Sequence, residues 1–313
     1  MPLGINNVHV DAPLTNVAVN YSGTAGGLMA EEASKVIKVA KESDLYYSWT
    51  RADQFRVPET YKADGAEANE FTTSASTTAY VAHEYALKVG VTDRQKANAD
   101  NVLQLRKNKM RIIQDQIRMD QESRVATLMT TQGNFPAANR TQLATTTQWN
   151  NASFSGSIEA DVDTGMEAIR QAIGLYPNTI IIPAAVAKVM KRNAEIRELV
   201  KYTQSNLLVN GDLPPTLWNM KVVIPGGINV STQKGASTDT FGDIWGKHCI
   251  LTFRPEGSAL DIPSHSLIFR ARDWLVKSWR EESKDTEFIQ VSVVQDEVLP
   301  SSVSGYLIED AIA

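Results

Sequence analysis

Few residues in this sequence are grouped so that they could do chemistry. His248-Cys249 is the one place where an imidazole adjoins a thiol. Neighbours on a strand face opposite sides, so this pair cannot share a metal or act as base and nucleophile together. Cys249 reads instead as a small core residue. His9, His83 and His265 lie in unrelated segments, and spacing alone assembles no triad from them. Glu281-Glu282, between Arg280 and Lys284, reads as a solvated charge run. Phosphate cradling needs glycines at a strand-to-helix turn, so that backbone N–H groups can approach the anion. The candidate turn here, Ile182-Pro183-Ala184-Ala185, has no glycine and loses a donor to proline. The glycines of 23–27 and of Pro225-Gly226-Gly227 lack the lysine of a phosphate loop and lead into no suitable helix. No catalytic residue, cofactor site or metal site is assigned.

One charged cluster has two readings. Arg106, Lys107, Lys109 and Arg111 fall close together on a helical segment. They form either a solvated helix face or a nucleic-acid contact.

The elements that would have to position such residues are clearer. The chain has 313 residues, 42% hydrophobic and 21% charged, enough for about two domains with real cores. Its 31 basic and 36 acidic residues give a net charge of −5, so there is no global excess to attract nucleic acid. A single cysteine excludes an internal disulfide framework and any multi-thiolate metal site. The start resembles no secretory signal, and the best apolar run, Ile180 to Met190, is about half of the roughly 20 residues a bilayer needs. The expectation is a protein made in a cytoplasm, with no membrane partner.

Residues 1–26 read as an extended arm with a glycine-rich base, and 27–44 as a short helix with Ala33, Val36, Ile37 and Ala40 on one face. Residues 45–91 read as a long hairpin: β-capable flanks surround a turn-rich polar centre. An isolated hairpin is marginal in water, so this one packs either on a neighbouring subunit or back on its own domain. Between Gly90 and Gly133 lie 42 residues without glycine or proline. Thr92 and Gln95 make a capping-box pattern, and Ala99, Val102, Leu103, Met110, Ile113, Ile117, Val125 and Leu128 mark one face. A continuous helix there would be a rod of roughly 55–60 Å, a spine serving more than one packing unit. Residues 134–157 are polar and form a junction. Beyond them a helix stopped by Gly174, a buried strand at Thr179–Ile182, a helix opened by Pro183 and a strand at Met220–Ile224 make an α/β unit. The last third is mainly strands, with Ile289, Val291 and Val293 alternating against Gln290 and Ser292.

The ordered set resembles a known family, the major capsid proteins of tailed double-stranded DNA bacteriophages with the Hong Kong 97-type fold. Glu84-Tyr85-Ala86-Leu87 with Val91-Thr92-Asp93 is similar to the return of the extended hairpin, the E-loop, into the spine helix. Gln148-Trp149 before Ser153 is similar to the entry into the axial domain. Tyr176-Pro177-Asn178-Thr179-Ile180 with Glu198-Leu199-Val200-Lys201-Tyr202-Thr203 matches its helix–strand–helix segment, and Asp243-Ile244-Trp245-Gly246 its late axial strand. The resemblance spans nearly the whole chain and implies an α+β fold. Its parts would be the arm (1–26), the helix leading into the E-loop (27–44), the E-loop (45–91), a spine helix of the peripheral domain (92–133), the junction (134–157), the axial domain (158–265) and return strands of the peripheral domain (266–313).

The resemblance implies a coat protein and no enzyme: hexamers and pentamers of one chain form an icosahedral head around a phage genome, assembled in the host bacterial cytoplasm. Expected inter-subunit contacts are Trp49, Arg51, Arg56, Lys62, Glu67 and Glu70 of the hairpin and Arg106, Lys107 and Arg111 of the spine. Acidic hairpin residues would meet the basic spine cluster. The implied partners are a portal, a decoration protein and a scaffolding protein. No long delta segment precedes the arm, so the scaffold is expected to be a separate chain. Packaged DNA would be touched only non-specifically. Some relatives crosslink an E-loop lysine to an asparagine; Lys62 and Lys88 are candidates, and no motif marks the asparagine. The competing readings are a cytoplasmic α/β enzyme with an unrecognised site and a nucleic-acid-binding protein using the basic spine cluster.

Overall fold

The structure, a computed structural model, describes residues 9–10, 14–15, 27–49, 55–72, 75–99, 102–201, 213–233, 235, 237–257 and 263–313. For residues 9–10, 47–49, 75–76, 102–103 and 199–201 it describes the backbone alone. Most of the expected arm, Arg51, and the end of the helix–strand–helix segment at Tyr202-Thr203 lie outside the described residues.

After strand β1 (His9–Val10) come a one-turn helix α1 (Ala30–Ala33) and strand β2 (Lys35–Lys38). The helix expected through Ala40 therefore stops early: Ser34 N–H closes on Ala30 O at 2.8 Å and the chain becomes extended. Val36 and Ile37 are β-branched, and their positions suit a strand as well as a helix. Strands β3 (Ser43–Trp49) and β4 (Ala75–Val81) form a hairpin, and β5 (His83–Thr92) continues from β4. The Thr92 hydroxyl then accepts from Gln95 N–H at 3.2 Å, capping α2 (Asp93–Ala97) as its sequence pattern requires.

The helical run is not one rod. Asn98 caps α2 at φ −94°, ψ 0°, and helix resumes as α3 (Val102–Thr130). Asn98 is a weak helix former that favours caps and turns, which explains the end of α2 there. With 29 residues, α3 is roughly 43 Å long.

Strand β6 (Arg140–Gln142) precedes α4 (Ile158–Ile173), which Ser157 caps and Gly174 ends in the left-handed conformation at φ 73°. Then come β7 (Thr179–Ile181), α5 (Ala184–Met190) with Pro183 just before it, α6 (Ala194–Lys201), β8 (Thr216–Leu217) and β9 (Met220–Val223). A small hairpin of β10 (Ile228–Val230) and β11 (Phe241–Asp243) leads to β12 (Cys249–Thr252). The chain finishes with β13 (Leu267–Glu281), β14 (Thr286–Val298) and β15 (Gly305–Glu309).

These strands make two principal sheets. In the first, β13 and β14 form a long antiparallel ribbon, β5 pairs with β14, β1 pairs with β13, and β2 runs parallel to the start of β13. The alternating Ile289, Val291 and Val293 are fully buried and pack with Val91, Trp274 and Val276 against Met110, Ile113 and Ile117 of α3. The second sheet runs β6-β15-β12-β7-β9-β8. Ile169, Ile182, Val186, Met190, Leu251 and Tyr306 are buried in the core between this sheet and helices α4, α5 and α6. The final strand β15 belongs here, antiparallel to β12 from Cys249↔Ile308 to Thr252↔Gly305, and not with β13 and β14 as a single 266–313 return would place it. Partner choice is a long-range matter that its apolar run could not reveal.

The first half of α3 lies on the first sheet. Its second half, through Val125, Ala126 and Met129, packs with Ile181, Val223, Ile250 and Leu307 of the second sheet and with Trp245. One helix thus serves both cores, as its length requires.

Candidate assembly surfaces

The β3–β4 hairpin stands out because it has a packed base and an unpacked end. At the base, Tyr46 and Tyr80 are buried against Phe269, with ring centroids 5.6 and 4.5 Å apart, and Ile37 and Leu267 close the cluster. These contacts fix the direction in which the hairpin leaves the first sheet. Its register runs from Ser43↔Val81 to Trp49↔Ala75. Beyond that, every residue from 55 to 72 is exposed. The tip has its own turn: Asn69 Nδ2 donates to Glu59 O at 2.9 Å, and Gly65 takes φ 75°. Four large apolar side chains sit there in water: Phe55 (52% exposed), Val57 (92%), Tyr61 (77%) and Phe71 (51%). The Phe55 ring lies against the glycine turn at the end of α4, where a Cβ on Gly174 would be 3.0 Å from it. A side chain 92% exposed gains nothing from folding of its own chain, so Val57 calls for a partner.

Arg56, Lys62, Glu67 and Glu70 are on this exposed tip. The backbone of Trp49 ends the paired part of the hairpin, opposite Ala75. The spine residues sit on a different element. Arg106 is half-buried and bonded to Glu287 of β14 at 2.8 Å, so the first sheet already holds it. Lys107 is half-buried and Arg111 is exposed on α3. The apolar tip residues were not among the expected contacts. Their signal was present as aromatics inside an otherwise polar segment.

The arm has an anchor. Leu14 is 1% exposed in the core beneath α3, and the Thr15 hydroxyl both donates to Val276 O (3.3 Å) and accepts from Val276 N–H (3.2 Å). His9 and Val10 pair with Ser278 and Lys277.

A buried polar joint ties the two sheets to α3. The carboxylate of Glu122, fully buried, accepts from Ala30 N–H at 2.6 Å and from Trp245 Nε1–H at 2.5 Å. Burial pushes its pKa above the ordinary value, and these hydrogen bonds pull it partly back. Around it, Glu31 pairs with the buried Arg270 of β13 at 2.6 Å, and Glu32 pairs with Lys221 of β9. One turn of helix α1 is therefore bonded to both sheets and to the spine.

Chemistry of the catalytic kind finds little here. Cys249 is buried and its thiol is pushed up to about 12 by that burial, while His248 Nδ1 accepts from Asp310 N–H at 3.2 Å. His265 is buried, held down to about 4 by desolvation, with its ring 4.9 Å from that of Phe135. An open groove of about 620 Å³ between α2 and α3 is lined by Arg94, Gln95, Asn98, Leu105 and Lys109, which offers no nucleophile with a base. Among the described residues, no group of three or more His, Cys, Asp or Glu is placed to hold a metal, and no helix is long and apolar enough to cross a membrane.

No family model matches the sequence. The chain is 26% identical over 306 residues to the major capsid protein of Burkholderia phage BcepMu, covering 96% of this chain and 95% of that one. Its fold is similar to that of a phage-related protein from Bordetella bronchiseptica RB50, with a TM-score of 0.73, 20% identity, and 96% and 97% of the two chains covered. It is also similar to a chain of the mature capsid of bacteriophage PhiM1, with a TM-score of 0.60, 9% identity, and 92% and 87% covered. Two sheets bridged by one spine helix, an exposed hairpin with an apolar tip and full-length similarity to a coat protein agree. The chain has the Hong Kong 97-type capsid fold and is a capsid shell protein.

Proposed function

We propose that this chain builds an icosahedral phage head from hexamers and pentamers of itself, assembled in the host bacterial cytoplasm around a scaffold supplied as a separate protein. A portal occupies one vertex, and decoration proteins bind the finished surface. The β3–β4 hairpin overlaps a neighbouring subunit. The observation that carries this is the exposed tip, whose Phe55, Val57, Tyr61 and Phe71 present a large apolar area to solvent. Repeated in every copy, burial of such side chains at roughly 1.5–3 kcal/mol each offsets the entropy lost on association. Trp49, Arg51, Arg56, Lys62, Glu67 and Glu70 line the hairpin side of the contact, and Lys107 and Arg111 with the Glu287-bonded Arg106 line the spine side. The net charge of −5 suits a wall that encloses DNA and touches it only non-specifically.

The test is particle yield and thermal stability of Val57→Asp with Tyr61→Asp, and separately of Glu67→Lys with Glu70→Lys. Loss of particles with the monomer still folded is the expected outcome. Wild-type yield from both pairs of substitutions contradicts the hairpin's role.

A further inference from the structure

Among the described residues, strand β5 is the outer strand of the first sheet. From His83 to Thr92 every residue is in register with β14 on one side, and among the described residues no strand pairs with its other side. Ten residues make an edge of roughly 33 Å. Its direction of bonding can be read from both ends. Val81 N–H turns to the Asp296 carboxylate of β14 at 2.9 Å, and Asp93 N–H donates to Asp285 O at 2.9 Å, so odd-numbered residues face β14. Ala82 N–H turns the other way, to Glu42 O at 2.7 Å. Alternation then aims the N–H and C=O groups of Glu84, Ala86 and Lys88 out of the sheet edge. The strand has no proline, and Glu84, Ala86, Leu87 and Lys88 are exposed, Leu87 by 44%. Monomeric proteins blunt such an edge.

The sequence of the edge is complementary to itself. Two copies of β5 laid antiparallel about Ala86 bring Glu84 of each opposite Lys88 of the other, on one face of the pair. On the other face Tyr85 meets Leu87 and His83 meets Val89. The even-numbered residues that point outward then bond to one another. Shifting the centre to Tyr85 or Leu87 keeps that bonding but leaves neither charge opposite its counter-ion. Centring on Glu84 or Lys88 sets like charges face to face, which is unfavourable. The ribbon ends naturally at Val89, because Gly90 would face Ala82, whose N–H Glu42 already takes. We propose that β5 pairs with β5 of a second copy across a local twofold axis, in the register that sets Glu84 against Lys88. This goes beyond the shell reading and rests on it only in that copies meet.

Ala86→Cys places a thiol at the centre of the twofold, and the native Cys249 is buried and silent. Particles or oligomers of the full-length variant, treated with a short bismaleimide, give a covalent dimer on a denaturing gel. The same treatment of Ala97→Cys, exposed on α2, does not. Glu84 also holds Arg272 of β13 at 2.7 Å within one chain, so Lys88→Glu is the cleaner single change: in the Ala86→Cys background it lowers dimer yield by roughly tenfold, and adding Glu84→Lys restores most of it. In the wild-type chain, carbodiimide joins a Glu84 peptide to a Lys88 peptide, a link the same strand cannot make across four residues. Intact shells with neither crosslink overturn the strand pairing and leave the shell reading standing. Crosslinked dimers that never close into shells do the reverse. A double charge swap no better than Lys88→Glu alone also overturns the proposed register.

Discussion

Removing the Glu122 carboxylate is the sharpest perturbation of the joint between the two sheets. In Glu122→Ala two buried donors lose their acceptor, Ala30 N–H (residue 5% exposed) and Trp245 Nε1–H (residue 1% exposed). A third donor, Met29 N–H, belongs to a half-buried residue and is left out of this sum. Each buried donor left unpaired costs about 1–3 kcal/mol, and relief of the carboxylate's own desolvation returns part of that, so the net loss is about 3 kcal/mol. Glu122→Gln is a poor rescue. Its amide keeps one accepting oxygen and turns an NH₂ toward the other donor, for a loss of about 2 kcal/mol. The assay is urea unfolding of the unassembled chain followed by tryptophan fluorescence. Because burial raises the Glu122 pKa above its ordinary 4.5, its favourable contribution is fullest below that value and is lost as pH rises through the folded pKa. The stability gap between wild type and Glu122→Gln therefore narrows with rising pH. A Gln variant as stable as wild type at every pH refutes the reasoning, since the site would then need no second accepting oxygen.

Other consequences are equally direct. Gly165→Ala should raise helix propensity in α4 by up to about 1 kcal/mol yet lower stability overall, because its Cβ would come within 2.8 Å of the Tyr306 ring; thermal unfolding gives the sign. His265, held down to about 4 by burial, contributes stability that is complete above about pH 6.5 and lost as pH falls through 4. Urea midpoints measured from pH 7 to 4 should fall in the wild type, with that part of the decline absent in His265→Gln. Leu14→Ala, which empties a site under α3, should cost about 2–4 kcal/mol and expose the arm to limited proteolysis.

The sequence carried some of this plainly and hid the rest for physical reasons. The Thr92 cap and the Gly174 stop are local signals, and each is seen in the structure; the β14 alternation is kept only in part, because Ser292 and Val294 on its other face are buried as well. The spine's apolar face was legible, but the break at Asn98 was not, because a few weak helix formers in a long periodic run are easily overridden or obeyed. Val36 and Ile37 suited two periods, and only pairing with the start of β13 decides for a strand. The destination of β15 depends on β12, more than fifty residues earlier, and no local pattern encodes it. Glu122 sits in the sequence between Gln121 and Ser123 like any surface acid; only the approach of α1 and Trp245 makes it a buried acceptor. Of the candidate surface, the charged tip residues were named and its apolar ones were not, although Val57 and Tyr61 are the side chains that most need cover.

Closure of many copies of this chain into a shell is open to direct observation. Electron microscopy of the chain, co-expressed with scaffolding and portal proteins and purified by sedimentation, gives the answer. Uniform closed particles are expected, with averaged density that shows the hairpin of one subunit lying across the next. A chain that stays a soluble monomer or dimer in the presence of those partners, with residues 55–72 still open to protease, contradicts it.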